Sequence, residues 1–510
     1  MPVNRKTLLP AQTTVRVHQH TGKTTASLLD KVEHLLVIVP EKPPAAVWKQ
    51  FPEGARIQAL RSRRQAKGPV SARLHNSANT GVTVASAGTD DSAFAQLTLA
   101  GKLAAQACAD NPASIAVLVA GCENAQAQSL YAALVLALQA HAFTMPAFNS
   151  EKKPQPRLRT IKLVGLPQRV DLDRVQAESA AVNLARWLTA LPPNLLDAKG
   201  YRRAITALAK DQPWQCDFLD EKKLKRKGAG AFLAVAQGNA TRDAGIMHIR
   251  YRPKGTPKNA QPLVSLVGKG IVFDTGGTNL KPFKAMLDMH CDMAGSAVAL
   301  AALAALTEMD YPEPVDCWLA ITENRLSAKA YKSRDIVTAS NGTTIEVIHT
   351  DAEGRMALAD TLALAGETKP GAIIDFATLT GTCVSALTDR YSGAFSNRSD
   401  LNPALIDAGV ACGERVWPFP MDEDFDAEIS SDVADVLQCA ASGGGDHIQA
   451  ARFLQRFVPD DVNWVHLDLS AATRTGGLAQ VGTEITGFGV RYALNLILDQ
   501  HEQLLQPAGQ

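Results

Sequence analysis

The sequence VGKGIVFDTGGTNLKP (267–282) opens a segment in which charged side chains lie among apolar and glycine residues. The segment continues with MHCDMAG (289–295) and ends with HTDAEGR (349–355). An isolated ionised carboxylate is costly to bury, so charged groups in such surroundings are expected to be paired or bound to metal. The segment therefore predicts a functional site. Its charged members are Lys269, Asp274, Lys281, Asp292, Asp351, Glu353 and Arg355.

On both sides of this segment, residues 192–510 alternate short β-branched runs with longer apolar patterns of helical period. Strands are predicted at 248–253, 263–268, 315–322, 344–349, 372–379 and 464–470. Helices are predicted near 293–309 and 354–366. The alternation predicts a larger C-terminal α/β domain with a mixed central sheet.

Residues 1–165 predict a smaller N-terminal α/β domain. Strands at 35–39, 81–86, 114–120 and 160–165, with helical patterns at 91–109 and 124–142, indicate βαβ units and a largely parallel sheet. The first 30 or so residues are weakly patterned and are predicted to be a loose lead-in. Residues 166–191 are predicted to form a linker helix that ends at Pro192-Pro193.

Composition excludes several classes of protein. The chain has 510 residues, a hydrophobic fraction of 46% and a net charge of +1, which is typical of a soluble globular protein with two or more domains. The near-zero charge gives no attraction to nucleic acid or to anionic membranes. The apolar run at 297–306 is about half the length of a membrane span, and the N-terminus lacks the apolar core of a signal peptide. A cytoplasmic location is predicted, and the eight cysteines, without a CxxC pair, are expected to be reduced thiols.

One basic segment, RIQALRSRRQAKGPVSAR (56–73), has six basic residues and no acidic one. It is predicted to be a solvated, mobile loop. The alternative is an anion-binding or nucleic-acid-binding surface, because clustered Lys and Arg are the usual footprint of such binding.

Common catalytic motifs are absent from the chain. Gly270 follows Lys269 where a phosphate-binding loop would need Ser or Thr, and the GxGxxG pattern is missing. GxSxG, HExxH and CxxC are also missing, which excludes a serine-hydrolase elbow, a helix-borne zinc site and a redox pair.

The carboxylates of the central segment have two interpretations. Asp292 precedes an apolar helix, so it could simply be an N-cap. Asp351 and Glu353, however, are two residues apart after the strand predicted at 344–349, and in extended chain such residues project to the same side. Ligands of α/β proteins bind at that edge of the sheet. Together with Asp274, these residues supply four carboxylates, whose charge suits two divalent cations.

The blocks VGKGIVFDTGG, DMAGSA, HTDAEGRMALAD and FATLTGTCVSAL resemble signature motifs of the leucyl aminopeptidase (cytosol aminopeptidase) family. The resemblance extends from about residue 191 to residue 498. It implies a metal-dependent aminopeptidase that releases leucine-like N-terminal residues from peptides by means of a water activated by two divalent ions. Zinc, manganese or magnesium would fit a carboxylate-rich set. The resemblance also implies a homohexamer, and the alternative is a DNA-binding family member that uses the basic segment.

The resemblance implies a role for each metal-site residue. Asp274 and Glu353 would bridge both ions. Lys269 and Asp292 would complete the tighter site, and Asp351 would complete the more exchangeable site. A lysine ligand must be neutral, which the neighbouring metal charge would enforce.

Two further residues match catalytic positions of the family. Lys281 matches the lysine that polarises the substrate carbonyl, and Arg355 matches the arginine that holds a bicarbonate ion. The chain departs from the family pattern at His349, Met356 and Ser333-Arg334. A histidine beside the site could affect it, although local hydrogen bonding is the commoner use.

The pocket for the first side chain of the substrate is assigned by the same resemblance. After HLD (466–468) this chain reads LSAAT, where relatives typically have an apolar run that ends in methionine. Two hydroxyl-bearing residues are therefore expected in a pocket that is otherwise apolar, which predicts a broadened preference. The residues of the predicted pocket are Met289, Thr378, Leu379, Gly381, Ser470 and Thr473.

Overall fold

The computed structural model describes residues 4, 6–11, 15–63, 68–151 and 154–506. They form two compact units. The first consists of the described parts of Ala11–Ser179 and Thr475–Glu484, and the second of those of Val3–Pro10, Ala180–Arg474 and Ile485–Gln510. The division falls within the helix Asp173–Thr189, in the segment predicted as the linker helix.

The first unit is built on a sheet that is largely parallel, as predicted. Its strands are β1 (Arg16–Thr21), β2 (His34–Pro40), β3 (Val70–Arg73), β4 (Gly81–Ala87), β5 (Ser114–Val119) and β6 (Thr160–Leu166). Their spatial order is β1-β6-β5-β2-β4-β3, and β3 pairs with β4 in the antiparallel sense while the other pairs are parallel. The central strand HLLVIVP is buried along nearly its whole length, as expected for a parallel strand that is covered on both faces.

Helices cover this sheet. They are α1 (Ala26–Leu29), α2 (Gly54–Arg63), α3 (Ala93–Cys108) and α4 (Asn124–Ala142), with a 3-10 turn at Val47–Lys49. One buried apolar cluster includes Leu103 of α3, Leu134 and Leu138 of α4, and Ile115 of β5. A second cluster, which includes Trp48, contains the strand residues that point the other way.

Two predictions for this unit were wrong. The lead-in contains β1, because its backbone pairs with β6 and an edge strand tolerates polar side chains. The basic segment contains most of α2 and all of β3 in place of a loop, and its residues 64–67 lie outside the described residues. Arg56 of this segment pairs with Glu53 at 2.6 Å, so nearby acidic groups outside the segment help to fix it.

The second unit contains the mixed sheet that the sequence predicts. Its strands are β7 (Trp214–Asp220), β8 (Gly245–Tyr251), β9 (Val264–Asp274), β10 (Val315–Asn324), β13 (Ala372–Ala377), β14 (Ser392–Ser396), β15 (Val416–Pro418) and β17 (Asn463–Asp468). The order is β15-β14-β17-β13-β9-β10-β8-β7. The four strands from β17 to β10 run parallel, and antiparallel pairs flank them.

A small second sheet joins β11 (Ile336–Thr338), β12 (Thr344–Glu346) and β16 (Val436–Leu437). The strand predicted at 344–349 is therefore shorter than expected and lies outside the main sheet. The side-chain oxygen of Gln438 accepts hydrogen bonds from the backbone N–H groups of Ile348 (3.1 Å) and His349 (3.0 Å). After the end of β12, the Gln438 side chain thus accepts the backbone hydrogen bonds that a neighbouring strand would otherwise accept.

The helices of the second unit follow α5 (Asp173–Thr189). They are α6 (Ala198–Ala209), α7 (Glu221–Arg226), α8 (Gly230–Ala236), α9 (Phe283–Met286), α10 (Ala294–Glu308), α11 (Glu353–Gly366), α12 (Gly381–Leu387), α13 (Asn402–Cys412), α14 (Asp446–Gln455), α15 (Val490–Asp499) and α16 (His501–Leu505). Short 3-10 turns occur at Met289–Cys291, Ser399–Leu401 and Glu423–Ile429.

Helices α10 and α11 are almost entirely buried beside β9. The helical stretch Phe283–Glu308 is long and apolar enough to cross a membrane. However, 83% of its apolar window is buried inside the fold, as in the core helix of a globular domain.

Candidate active site

The candidate site begins where two parallel strands end side by side. Asp274 is the last residue of β9, and it is opposite Asn324, the last residue of β10. The Asn324 side-chain amide donates to Asp274 Oδ1 (2.8 Å), to Glu353 Oε2 (3.3 Å) and to the backbone oxygen of Thr350 (2.9 Å). One amide therefore holds both carboxylates and the loop between them.

A glycine pair turns the chain directly after Asp274. Gly276 and Gly277 have φ of +85° and +66°, a region that L side chains rarely adopt. The N–H of Gly276 donates to Asp274 Oδ1 at 2.8 Å. A Cβ on Gly276 would lie 2.9 Å from Asp351 Oδ1, so the glycine lets that carboxylate approach.

Asp351 and Glu353 are brought together by a turn, in contrast to the extended chain that the sequence predicts. Asp351 lies in the turn, and Glu353 is the first residue of α11. Carboxylate oxygens of Asp274, Asp351 and Glu353 all lie within 4.8 Å of one another. The start of a helix favours negative charge, which explains how Glu353 is tolerated at 1% exposure.

Lys269 enters the site from within β9. Its Nζ lies 2.8 Å from Asp292 Oδ1 and 3.1 Å from Glu353 Oε1, and it donates to the backbone oxygen of Thr378 at 2.9 Å. A Cβ on Gly354 would clash with the lysine side chain, so this glycine makes room for it. Burial lowers the pKa of Lys269, but the adjacent carboxylates outweigh burial and raise its pKa overall.

Asp292 does not cap α10. The helix begins at Ala294, and Asp292 Oδ1 instead accepts from Lys269 and from Thr378 Oγ1 at 2.7 Å. Its Oδ2 is buried and has no hydrogen-bond partner among the described residues. Burial raises the pKa of Asp292 to about 6, although the ammonium group of Lys269 opposes the shift.

Lys281 lies on the opposite side of the acidic cluster. Its Nζ is 2.9 Å from Asp274 Oδ2 and 2.6 Å from Asp351 Oδ1, and its side chain is 14% exposed. Burial lowers the pKa of Lys281, but Asp274 and Glu353 raise it overall. A cation is therefore fixed beside the carboxylates, and its side chain keeps partial contact with solvent.

These residues fit divalent metal ions. The four carboxylates outnumber the two lysines, which leaves negative charge that the described side chains of the cluster do not neutralise. The partnerless Oδ2 of Asp292 is a buried acceptor of the kind that a cation would satisfy. Carboxylate oxygens are also the donors that magnesium, manganese and, in part, zinc accept.

The hydrogen-bond partners of Arg355 lie outside this cluster of carboxylates and lysines. Its Nη2 donates to both carboxylate oxygens of Asp446 at 2.8 and 2.9 Å, and Nη1 donates to the backbone oxygen of Gln438 at 3.3 Å. Burial lowers the pKa of this guanidinium, and the negative charge of Asp446 raises it overall. A protein carboxylate therefore lies where the resemblance implies a bicarbonate ion, and the residues present do not fit that ion.

His349 lies at the edge of the site with an exposed side chain, and its backbone N–H donates to Gln438. Burial raises the pKa of the neighbouring Asp351, whereas Lys281 and His349 act in the opposite direction.

The predicted pocket residues occupy several elements of the second unit. Thr378 contacts Asp292 through its hydroxyl, and the N–H of Leu379 donates to Asp468 Oδ1 at 3.1 Å. Asp468 therefore holds the loop that follows β13. Asp468 itself is not one of the predicted pocket residues.

The other pocket positions differ in exposure. Met289 is half-buried in the 3-10 turn, and Gly381 is exposed at the start of α12. The hydroxyl of Ser470 is directed inward, because it donates to Cys383 Sγ at 3.0 Å. Thr473 is half-buried.

Sequence reasoning missed Asn324 and Asp446. Asn324 had a signal, since it lies two residues after the strand predicted at 315–322, and polar residues at adjacent strand ends tend to meet. Asp446 had none, because it lies 91 residues beyond Arg355 outside any recognised motif.

Comparisons with known proteins identify a family and similar structures. The model of the cytosol aminopeptidase family, catalytic domain, matches residues 183–494. A probable cytosol aminopeptidase from Prochlorococcus marinus is 37% identical over 373 residues, which is 71% of this chain and 73% of the relative. A mutant of tomato leucine aminopeptidase has a similar structure, with a TM-score of 0.80, 27% identity and coverage of 96% of this chain and 98% of the other. The bottromycin maturation enzyme BotP in complex with Mn is also similar, with a TM-score of 0.79, 26% identity and coverage of 92% and 99%.

Fold and relatives together define a hydrolase of the peptidase class that has a mixed α/β fold. The chain belongs to the cytosol aminopeptidase family, and its activity is that of an aminopeptidase.

Proposed function

We propose that this aminopeptidase depends on two divalent metal ions held by the charged cluster. The observation that supports this proposal is the convergence of three carboxylates within 4.8 Å. Asp274 and Glu353 would bridge the ions, with Lys269 and Asp292 completing one site and Asp351 the other. Bound ions would lower the pKa of a water molecule, so that it could lose a proton near neutral pH and act as the nucleophile.

Lys281 would act on the substrate carbonyl. Its ammonium group is fixed by Asp274 and Asp351, so it costs little reorganisation to donate to the oxygen on which negative charge develops. Lys269 would have to lose its proton to become a ligand. Metal binding favours this loss, and the ion pairs of Lys269 with Asp292 and Glu353 would then be replaced by bonds to metal.

The proposed substrates are peptides with a leucine-like first residue. Met289, Thr378, Leu379, Gly381, Ser470 and Thr473 form the proposed pocket. The Ser470 hydroxyl is directed inward, where it donates to Cys383. The Thr473 hydroxyl is therefore the one expected to weaken the preference for large apolar side chains.

Two further features come from the family. A cytoplasmic location is proposed because the relatives are named as cytosol aminopeptidases. A homohexamer is proposed on the family resemblance alone. Bicarbonate is left out of the proposal, because Arg355 is paired with Asp446. Nucleic-acid binding gains no support, since Arg56 and Arg73 of the basic segment are paired with Glu53 and Asp110.

A panel of aminoacyl anilides tests the function. Purified protein should release leucine and methionine faster than alanine and serine, and the same sample should contain divalent metal. Blocking the N-terminal amine of the leucyl substrate should abolish release, because an aminopeptidase requires a free amine. Equal cleavage of blocked and free substrates would contradict the proposed exopeptidase activity.

A further inference from the structure

Arg355 is a buried cation that requires a permanent anion. Its exposure is 2%, and an unpaired charge at such a position is strongly destabilising. In the described part of the chain that anion is Asp446, whose two oxygens both accept from Nη2.

The position of Asp446 is fixed by local chain geometry. Gly443 and Gly445 have φ of +111° and +78°, so the chain turns sharply before α14 begins at Asp446. The N–H of His447 donates to Thr382 Oγ1 at 3.0 Å, which anchors the first turn of this helix. The carboxylate reaches Arg355 from a 39% exposed position, so it is in contact with solvent as well as with the guanidinium.

The guanidinium has little capacity for a second anion. Nη2 is used by Asp446, and Nη1 donates to Gln438. Nε is the one nitrogen of this side chain without a hydrogen-bond partner among the described residues. One N–H of Nη1 also remains, but it does not lie parallel to the Nε–H, so the unused donors do not form the two parallel N–H groups through which a planar anion binds a guanidinium.

We infer that Asp446 is a built-in replacement for bicarbonate, a positioning residue that keeps Arg355 neutralised and makes the enzyme independent of added anion. Both groups are planar, singly charged and able to accept two hydrogen bonds. The claim that turnover needs no added anion rests on the proposed function. The claim that Asp446 neutralises Arg355 does not.

The experiment compares wild type with Asp446→Ala and Asp446→Asn in bicarbonate-free buffer and in bicarbonate at matched ionic strength. Thermal unfolding and leucyl anilide turnover are both measured. Wild type should show the same Tm and turnover in both buffers. Asp446→Ala should lose several degrees of Tm and about tenfold or more in turnover, and bicarbonate or formate should restore part of both losses. The Asn variant, which fills the anion position without charge, should respond less.

Asp426→Ala is the matched control, because Asp426 accepts from Arg452 of α14 at 2.8 and 2.7 Å. It should lower Tm without making turnover respond to bicarbonate. A wild-type Tm or turnover that rises with bicarbonate overturns the inference. This measurement uses wild type alone, so it does not depend on whether a variant folds. Undiminished turnover and Tm in Asp446→Ala overturn it as well. Absence of turnover from every variant and wild type would count against the proposed function, while the Tm response would still decide the role of Asp446.

Discussion

Lys281 combines two properties that an oxyanion donor needs, a fixed position and partial access to solvent. Its contacts with Asp274 and Asp351 hold the charge in place before substrate arrives. Lys281→Ala should therefore reduce kcat by about a hundredfold or more, the usual effect of removing such a donor. Metal content should remain at the wild-type level. Lys284→Ala is the control, because Lys284 is an exposed lysine in α9 three residues away, and unchanged kcat in Lys281→Ala would remove Lys281 from the proposed mechanism.

Asp274 and Asp351 differ in how far they enter the cluster. Asp274 is 2% exposed and contacts Asn324, Gly276 and Lys281, whereas Asp351 is half-buried at the rim. Asp274→Asn should empty both metal positions, because it removes a proposed bridge. Asp351→Asn should weaken one of them. Metal analysis after dialysis distinguishes the two, and loss of a single ion from both variants would show that Asp274 does not bridge.

Thr473 tests the pocket assignment. Thr473→Met adds apolar surface at the position where the family resemblance implies methionine, so the ratio of kcat/KM for leucyl over alanyl anilide should rise. A change of one or two methyl-sized groups in such a pocket is worth about 1–3 kcal/mol. Ser470→Ala is a useful comparison, since its hydroxyl is directed toward Cys383 and should affect the ratio less. If the ratio does not move in Thr473→Met, this residue does not line the pocket.

Among single residues, charge in an apolar context was the informative signal. Lys269, Asp274 and Asp292 could be selected from the sequence because such groups need partners, and the structure brings them together. The partners themselves were harder to predict. Asp446 reaches Arg355 from a separate helix, and only the tertiary fold brings the two together.

Among elements, the strands β13 and β17 are joined by a buried charged pair. His466 Nδ1 lies 2.6 Å from Asp375 Oδ1, and both side chains are fully buried. Burial lowers the pKa of His466, but Asp375 raises it above the ordinary value of 6.5 overall. The charged pair therefore contributes stability that is fully present below pH 6.5 and is lost as the pH rises through the raised pKa.

His466→Gln should flatten this pH dependence. As the pH rises from below 6.5 through the raised pKa, the free energy of unfolding of wild type should fall relative to that of the variant, by about 1.4 kcal/mol for each unit by which the pKa is raised. Asp375→Asn should flatten the curve too, because it removes the charge that raises the pKa. Parallel curves for wild type and both variants would mean that His466 is not charged in the folded protein.

Regular elements were predictable where a long apolar pattern repeats, as in α10 and β9. The errors arose where backbone pairing overrides the side-chain pattern. The polar strand β1 is held by β6, and the predicted strand at 344–349 stops at Glu346 because Gln438 occupies the hydrogen-bonding edge beyond it. Neither partner is adjacent in sequence, so local pattern could not reveal them.

At the scale of the whole molecule, the near-zero net charge and the local excess of acid are separate features. The chain has a net charge of +1, yet one end of the mixed sheet gathers four carboxylates against two lysines. The two-unit α/β architecture followed from the alternation of strands and helices along the chain. The turn that joins Asp351 to Glu353 did not, since it depends on contacts of Gly276 and Asn324 with distant residues.

The most direct test of the central claim is a titration of metal-free protein with zinc or manganese, in which bound metal per chain and leucyl anilide turnover are followed together. We predict no turnover without metal and a gain that tracks occupancy of two positions per chain. The double variant Asp274→Asn with Glu353→Gln should bind neither ion and stay inactive at every concentration. Full turnover by protein shown to contain no metal would contradict the account.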